Sequence, residues 1–323
     1  MDVETTLDIE IAAALAESPI GAIDFGSWEL ATVPQMRAAM ADMPRPELPP
    51  STVEFHDVVV DETGEGAAPT LRVYGAGGDA SRPCVYWIHG GGYMFGSALM
   101  PEPRLERWAE ELDCVVVSVE YRLAPEHPYP APLDDCYAGL SWTARHADDL
   151  GIDPARITVA GASAGGGLAA GLTLLARDRA EVAIAYQLLI YPMIDDRNAT
   201  PSSHIVGAPV WSRAANLLGW RAYLGKEPGG DDVPAYAAPA RATDLSGLPP
   251  TFIGVGTLDV FRDEDMEYGR RLLAAGVPTE VHVYPGAPHG FEMIVPLAGV
   301  SQRCQRDIDD ALRRAFCVRA TAP

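Results

Sequence analysis

Short apolar runs, most of them closed by glycine, proline or an acid, recur along the chain and alternate with longer amphipathic stretches. Six form the main series: CVYWIH (Cys84 to His89), CVVVSV (Cys114 to Val119), RITVA (Arg156 to Ala160), AYQLLIY (Ala185 to Tyr191), TFIGVG (Thr251 to Gly256) and EVHVY (Glu280 to Tyr284). Near-continuous apolarity, rather than alternation, predicts central strands covered on both faces. Ahead of them, VEFHDVVV and TLRVY flank the turn-like DETGEG and predict an antiparallel opening pair. Helical patterns fall between the strands, at Glu102–Leu112, Leu133–His146, Gly165–Arg177 and Asp263–Ala275. Alternation of this kind predicts an α/β fold: an eight-stranded, mostly parallel sheet with helices on both faces.

Two stretches fall outside that rhythm. Leu7, Ile11 and Leu15 recur at helical spacing and predict one short amphipathic helix, after which the proline cluster MPRPELPPS (Met43 to Ser51) breaks the chain. Residues 1–50 therefore read as an N-terminal segment, either a linker or a flap packed on the body. Met193 to Ala242, rich in Trp, Tyr and Pro, reads as an insertion over one end of the sheet. The body is then 51–192 with 243–323, and the insertion is 193–242.

Composition narrows the function. The net charge of −21 argues against nucleic acid or an anionic membrane surface as partner, since both call for basic patches. The first 36 residues hold seven acids and no Lys or Arg, unlike a signal peptide, and no apolar run approaches the ~18 residues of a membrane span. The five cysteines are widely spaced and lack a C-x-x-C pair; Cys84 and Cys114 fall in predicted buried strands, which suits free thiols in a reducing cytoplasm, with a structural disulfide as the alternative. No cluster has metal-ligand spacing, so no metal is expected, and the serine chemistry read below calls for no organic cofactor.

Ligands of open parallel sheets sit at the carboxyl ends of the strands, so the loops there carry the chemistry. One is Gly161-Ala162-Ser163-Ala164-Gly165, between the strand RITVA and a helix. Taken alone, Ser163 is either a nucleophile on a tight turn or a small residue in a crowded spot. Its placement favours the nucleophile: Gly161 and Gly165 leave room for a strained turn, and the helix N-terminus behind it favours a developing oxyanion. A second loop, His89-Gly90-Gly91-Gly92-Tyr93, lets backbone N–H groups approach a carbonyl oxygen. It lacks the endings of a phosphate loop, and His89 is expected to brace it.

The third loop supplies a base. His289, in YPGAPHGF, follows a strand and is flanked by small residues, whereas His282 on the strand reads as structural. For the acid that orients it, Asp259 in GVGTLDV is the choice; Asp263, Glu264 and Asp265 read as the acidic first turn of a helix. The order Ser163, Asp259, His289 is that of an α/β-hydrolase.

Several longer blocks make the likeness specific: HGGGY (89–93), YRLAPEHPYPAPLDD (121–135), RITVAGASAGGGLA (156–169), YAAPARATDLSGLPPTFIGVGTLDVFRDED (236–265) and YPGAPHGF (284–291). The chain resembles the hormone-sensitive-lipase-like esterases of the α/β-hydrolase superfamily. The resemblance implies an oxyanion hole from the N–H groups of Gly91, Gly92 and Ala164. It also implies a helical cap built from residues 1–50 and 193–242. Tyr93, Tyr191, Trp211, Leu218 and Tyr223 become candidates for lining the acyl pocket, or for plain packing within the cap. In one place the chain departs from the family: its usual elbow reads G-D-S-A-G, and Ala162 stands in place of the aspartate.

The expected activity is hydrolysis of small, soluble, short-acyl esters through an acyl-enzyme. Amide, lactone or carbamate cleavage uses the same machinery, and a non-catalytic binding protein on this scaffold is the reading from another class. An intact His289 favours the enzyme. Related esterases are often dimers, and a homodimer is suggested by that resemblance alone.

Overall fold

Runs that are apolar at every position need cover on both faces, and that requirement organises the molecule. The computed structural model describes residues 3–18, 23, 25–41, 53–60, 68–78, 81–100 and 102–320. Its strands are β1 Phe55–Val59, β2 Thr70–Tyr74, β3 Arg82–Ile88, β4 Val115–Glu120, β5 Ile152–Ala162, β6 Tyr186–Ile190, β7 Thr251–Gly256 and β8 Thr279–Tyr284. They form one eight-stranded sheet in the order β1-β2-β4-β3-β5-β6-β7-β8. The opening pair is antiparallel, with Phe55 opposite Tyr74 and Val59 opposite Thr70, and β2 is antiparallel to β4. All remaining neighbours are parallel. The turn DETGEG, the proline cluster and the boundary at residue 50 lie outside the described residues.

Helices α1 Val3–Thr6, α2 Ile9–Glu17 and α3 Val33–Ala41 precede the sheet. Then come α4 Pro103–Glu111, α5 Ala131–Arg145, α6 Ala147–Leu150, α7 Ala164–Arg179 and α8 Arg213–Leu224. The last are α9 Arg262–Ala274, α10 Phe291–Ile294 and α11 Gly299–Ala315. Strand periodicity sorts the core into two layers. Tyr86 and Ile88 of β3 join Leu140 of α5, Leu168 and Leu172 of α7 and Leu272 of α9. Val85 and Trp87, facing the other way, join Leu105 and Trp108 of α4 with Ile308 and Leu312 of α11. Each fully buried side chain of this class contributes about 1.5–3 kcal/mol of transfer free energy.

The N-terminus differs in detail from the single helix predicted over Leu7, Ile11 and Leu15. The chain breaks after Thr6, and Asp8 caps α2 by accepting from the N–H groups of Glu10 (3.0 Å) and Ile11 (3.3 Å). An Asp at that position satisfies orphan N–H groups better than it continues a helix. Ile11 and Leu15 are buried against the α4–α11 layer.

Between β6 and β7 the chain leaves the sheet and forms α8, capped by Ser212, whose Oγ accepts from Ala215 N at 3.2 Å. A 3-10 turn at Phe25–Ser27 packs on this helix so closely that a Cβ on Gly26 would lie 2.5 Å from that of Ala214. Phe25 and Trp28 also meet Phe95, from the loop after β3, at ring separations of 6.3 and 5.6 Å. Phe25 lies 5.9 Å from Trp211. The N-terminal segment and the insertion therefore meet each other beside the carboxyl end of β3.

Candidate active site

The serine sits where β5 hands over to α7. Ser163 has φ 58° and ψ −123°, outside the ordinary wells for a residue with a side chain, and this strain lifts its hydroxyl off the strand direction. Backbone bonds hold the strain in place. Ser163 N donates to Ile190 O (2.9 Å), while its carbonyl accepts from Gly167 N (3.0 Å) and Met193 N (2.9 Å). The flanking glycines are required for space: a Cβ on Gly161 would overlap the carbonyl of Gly165, and one on Gly165 would overlap the carbonyls of Ile88 and His89.

Asp259 and His289, the acid and base expected from the sequence, lie on loops after β7 and β8, stitched together by Thr257 N to Tyr284 O (2.9 Å) and Leu258 N to Ala287 O (3.0 Å). Asp259, fully buried, accepts from Phe261 N through Oδ1 (3.0 Å) and meets His289 Nδ1 through Oδ2 at 2.7 Å. His289 Nε2 lies 2.8 Å from Ser163 Oγ. An ionised carboxylate only accepts, so Nδ1 carries the proton and Nε2 accepts from the serine hydroxyl. The ring is enclosed by the edges of Tyr191 (4.7 Å between centroids) and Phe261 (5.1 Å). Three residues from distant parts of the sequence, with Ser163 and His289 separated by 126 positions, thus form one hydrogen-bonded chain.

The glycine loop lies directly against this elbow. A Cβ on Gly90 would stand 2.9 Å from Ala162 O and 3.3 Å from Ser163 Cβ. Gly91 and Gly92 have φ of 122° and 59°, and Gly91 folds back so that its carbonyl accepts from Met94 N (3.0 Å) and Phe95 N (2.9 Å). Among the described residues, no acceptor pairs with the N–H groups of Gly91, Gly92 or Ala164. His89 braces the loop through Nδ1 and Gly90 O (2.8 Å), and its ring stacks on Tyr121 at 4.3 Å. Burial holds its pKa below the usual histidine range, so the imidazole is the neutral form.

Other predicted positions move. Tyr93, Tyr191 and Tyr223 expose 0, 1 and 1% of their surface, too little to line a pocket. Tyr93 and Tyr223 instead stack at 3.9 Å behind the glycine loop, with the Tyr93 hydroxyl donating to Met193 O at 2.9 Å. Trp211 and Leu218 keep a little exposure, and the Trp211 ring lies against Gly92 so closely that a Cβ placed there would overlap it. Asp263, Glu264 and Asp265 do open a helix, but two of them face inward. Glu264 Oε1 accepts from Ile194 N (3.2 Å) and Asp195 N (3.1 Å), and burial pushes both Glu264 and Asp265 well above the usual carboxylate range.

Sequence reading missed Glu292 and Arg104, which are joined at 2.7 Å in the buried layer beside Tyr191. A lone acid among apolar residues in HGFEMIV, and an arginine one turn before Trp108 on the apolar face of α4, were the available signals. Cys84, Cys114, Cys136 and Cys304 are free and buried, and burial raises each thiol, so none competes as a nucleophile.

With this geometry in hand, likeness to known proteins becomes informative. Residues 85–293 match a family described as having the alpha/beta hydrolase fold. The chain belongs to the α/β-hydrolase family. Within it, the chain is a hormone-sensitive-lipase-like esterase. It is 38% identical over 269 residues to esterase LipI of Mycobacterium tuberculosis, covering 82% of each chain. Carboxylesterase NlhH of the same species is 42% identical over 227 residues, covering 67% of this chain and 69% of that one. A solved bacterial heroin esterase superposes with a TM-score of 0.85 at 42% identity, over 97% of this chain and 98% of the other. An esterase from Pyrobaculum calidifontis gives 0.81 at 31% identity, over 96 and 98%.

Proposed function

We propose that this hydrolase cleaves small, soluble, short-acyl esters with Ser163 as nucleophile, His289 as general base and Asp259 as its orienting acid. The chain of 2.7 and 2.8 Å contacts from Asp259 through His289 to Ser163 is the observation that carries this reading. His289 Nε2 takes the proton from Ser163 as Oγ bonds to the ester carbonyl carbon, and the carbonyl π pair moves onto oxygen. The N–H groups of Gly91, Gly92 and Ala164 receive that oxyanion, and the N-terminus of α7 adds its partial positive charge. Collapse expels the alcohol, which takes the proton back from His289. Water then repeats the sequence on the acyl-enzyme and releases the acid.

Support for a short acyl group comes from the aromatic wall at the oxyanion loop, where Trp211 abuts Gly92 and packs on Phe25 at 5.9 Å. The test is a panel of nitrophenyl esters from acetate to palmitate, with Ser163→Ala as control. Turnover is expected to peak among the shortest chains and to vanish in the variant, whose melting temperature stays near that of the parent. Ester hydrolysis retained by Ser163→Ala refutes the nucleophile; an optimum at long chains refutes the substrate class.

A further inference from the structure

The loop that carries His289 is held from behind by groups the ester chemistry does not itself use. Glu292 follows His289 by three residues, in α10, and its carboxylate is fully buried. Its Oε1 accepts from the Tyr191 hydroxyl at 2.8 Å and from Arg104 Nη2 at 2.7 Å. Arg104 reaches in from α4, with its guanidinium 5.7 Å from the Trp87 ring and 5.8 Å from the Trp108 ring. A second tie runs from Gln305 Nε2 of α11 to the Glu292 carbonyl at 3.0 Å.

Tyr191 directly follows β6, which lies between the strands β5 and β7 that lead to Ser163 and Asp259. It directly follows Ile190, whose carbonyl accepts from Ser163 N, and its own N–H donates to Gly254 O of β7 at 2.7 Å. Its φ of 36° is unusual for a residue with a large side chain, so the ring is directed by its surroundings and not by backbone preference. That ring stands edge-on to His289, 4.7 Å away at 66°.

We propose that Tyr191, Glu292 and Arg104 are positioning residues that set the imidazole of His289 for proton transfer, a role that rests on the triad assigned above. The bond to Asp259 fixes one edge of the imidazole but leaves the ring free to tilt about that edge. Tilt is limited by the rings packed around the imidazole, among them Phe261 and Tyr191, and the Tyr191 ring is held in turn by the bond its hydroxyl makes to Glu292. Glu292 holds it from α10, three residues after His289, so the base and its wall are fixed to one another. Arg104 supplies the charge that lets a carboxylate remain in this layer, where an unpaired one would be costly. The relay touches no substrate. Its loss slows proton transfer and leaves ester binding as it was.

Tyr191→Phe keeps the ring and removes the hydroxyl; Glu292→Gln keeps the size and an acceptor oxygen and removes the charge. Pre-steady-state acylation with nitrophenyl acetate gives the maximal rate, the half-saturating concentration and a burst amplitude that counts competent serines. For Tyr191→Phe the maximal acylation rate is expected to fall about ten-fold, the scale of a small misplacement of a catalytic group. The half-saturating concentration and the burst per folded protein stay unchanged. Glu292→Gln gives a smaller loss of the same kind. Acylation rates within about two-fold of the parent for both variants, or a loss appearing in burst amplitude alone, overturn the relay. Ser163→Ala in the same assay separates the two readings. Hydrolysis surviving there strikes the triad itself, whereas a dead Ser163→Ala beside parent-like Tyr191→Phe and Glu292→Gln strikes only the relay.

Discussion

Gly92→Ala tests the oxyanion loop at a position where both conformation and space demand glycine. The φ of 59° puts the residue in the left-handed region, where a side chain costs about 1–2 kcal/mol. The added methyl would lie 3.0 Å from Trp211 Cζ2 and closer still to Cη2. Unstrained carbon contacts need about 3.5–4.0 Å, so at the closer of the two atoms something must yield by more than about 1 Å. Trp211 has little room to retreat, being packed on Phe25 at 5.9 Å and 6.2 Å from the His289 ring. α8 also stands close to the loop, where a Cβ on Gly219 would lie 3.0 Å from Gly92 O, so neither ring nor loop has much space to move into. A shift of that size takes an N–H out of the range of about 2.7–3.1 Å that an oxyanion donor requires, and one lost donor costs about 10²–10³ in kcat.

The double variant Gly92→Ala/Trp211→Ala removes the obstructing ring and leaves only the conformational cost. Compared with Trp211→Ala alone, the double should lose about five- to thirty-fold, the equivalent of 1–2 kcal/mol. Gly92→Ala should lose at least ten times more than that against the parent. The assay is kcat for nitrophenyl acetate, normalised by titration of active serines, with melting curves to count folded protein. A Gly92→Ala enzyme with parent kcat refutes the steric argument. So does a double variant that loses as much against Trp211→Ala as Gly92→Ala loses against the parent.

Two further changes address the elbow and the buried acids. Gly165→Ala drives a methyl into the backbone carbonyls of Ile88 and His89, so activity should fall by about 10² or more as elbow and glycine loop separate; parent activity would show that the two can shift freely. Asp265 is fully buried, and burial raises its carboxyl above the value of about 3.9 in an unfolded chain. A raised folded pKa means its stabilising contribution is complete below that unfolded value and is lost as pH climbs toward the folded one, at about 1.4 kcal/mol per unit of difference. Asp265→Asn should therefore gain in melting temperature over the parent between about pH 4.5 and 7.5, and a difference that does not vary with pH refutes this.

What the chain spelled out was set by local rules. The strands were legible because burial on both faces demands uninterrupted apolar runs, and the elbow was legible because Gly161 and Gly165 have no alternative where a Cβ would strike backbone. Asp259 and His289 could be picked out by position after a strand, although only the fold brings them within 2.7 Å. What stayed hidden depended on contacts between distant segments. Tyr191 looked like a pocket aromatic because its hydroxyl's partner, Glu292, lies 101 positions away. Glu264 and Asp265 looked like ordinary helix-opening acids because their burial depends on the insertion folding over α9, where Ile194 and Asp195 donate to Glu264.

Ala162, where the family's elbow has an aspartate, belongs to the same reasoning. It ends β5 opposite Ile190, and its methyl lies in the apolar layer that also holds Trp87, Tyr191 and Phe291. A methyl there brings no charge that must be solvated, and the elbow does not lean on its side chain. Ser163 is held by its own N–H to Ile190 and by two N–H groups donating to its carbonyl. Gly161, Gly165 and Gly90 let three backbone segments touch without a side chain between them. An elbow fixed by main-chain bonds on both sides of the serine tolerates loss of a neighbouring carboxylate. Beyond the histidine, Glu292 of α10 and Arg104 of α4 form a buried ion pair of their own.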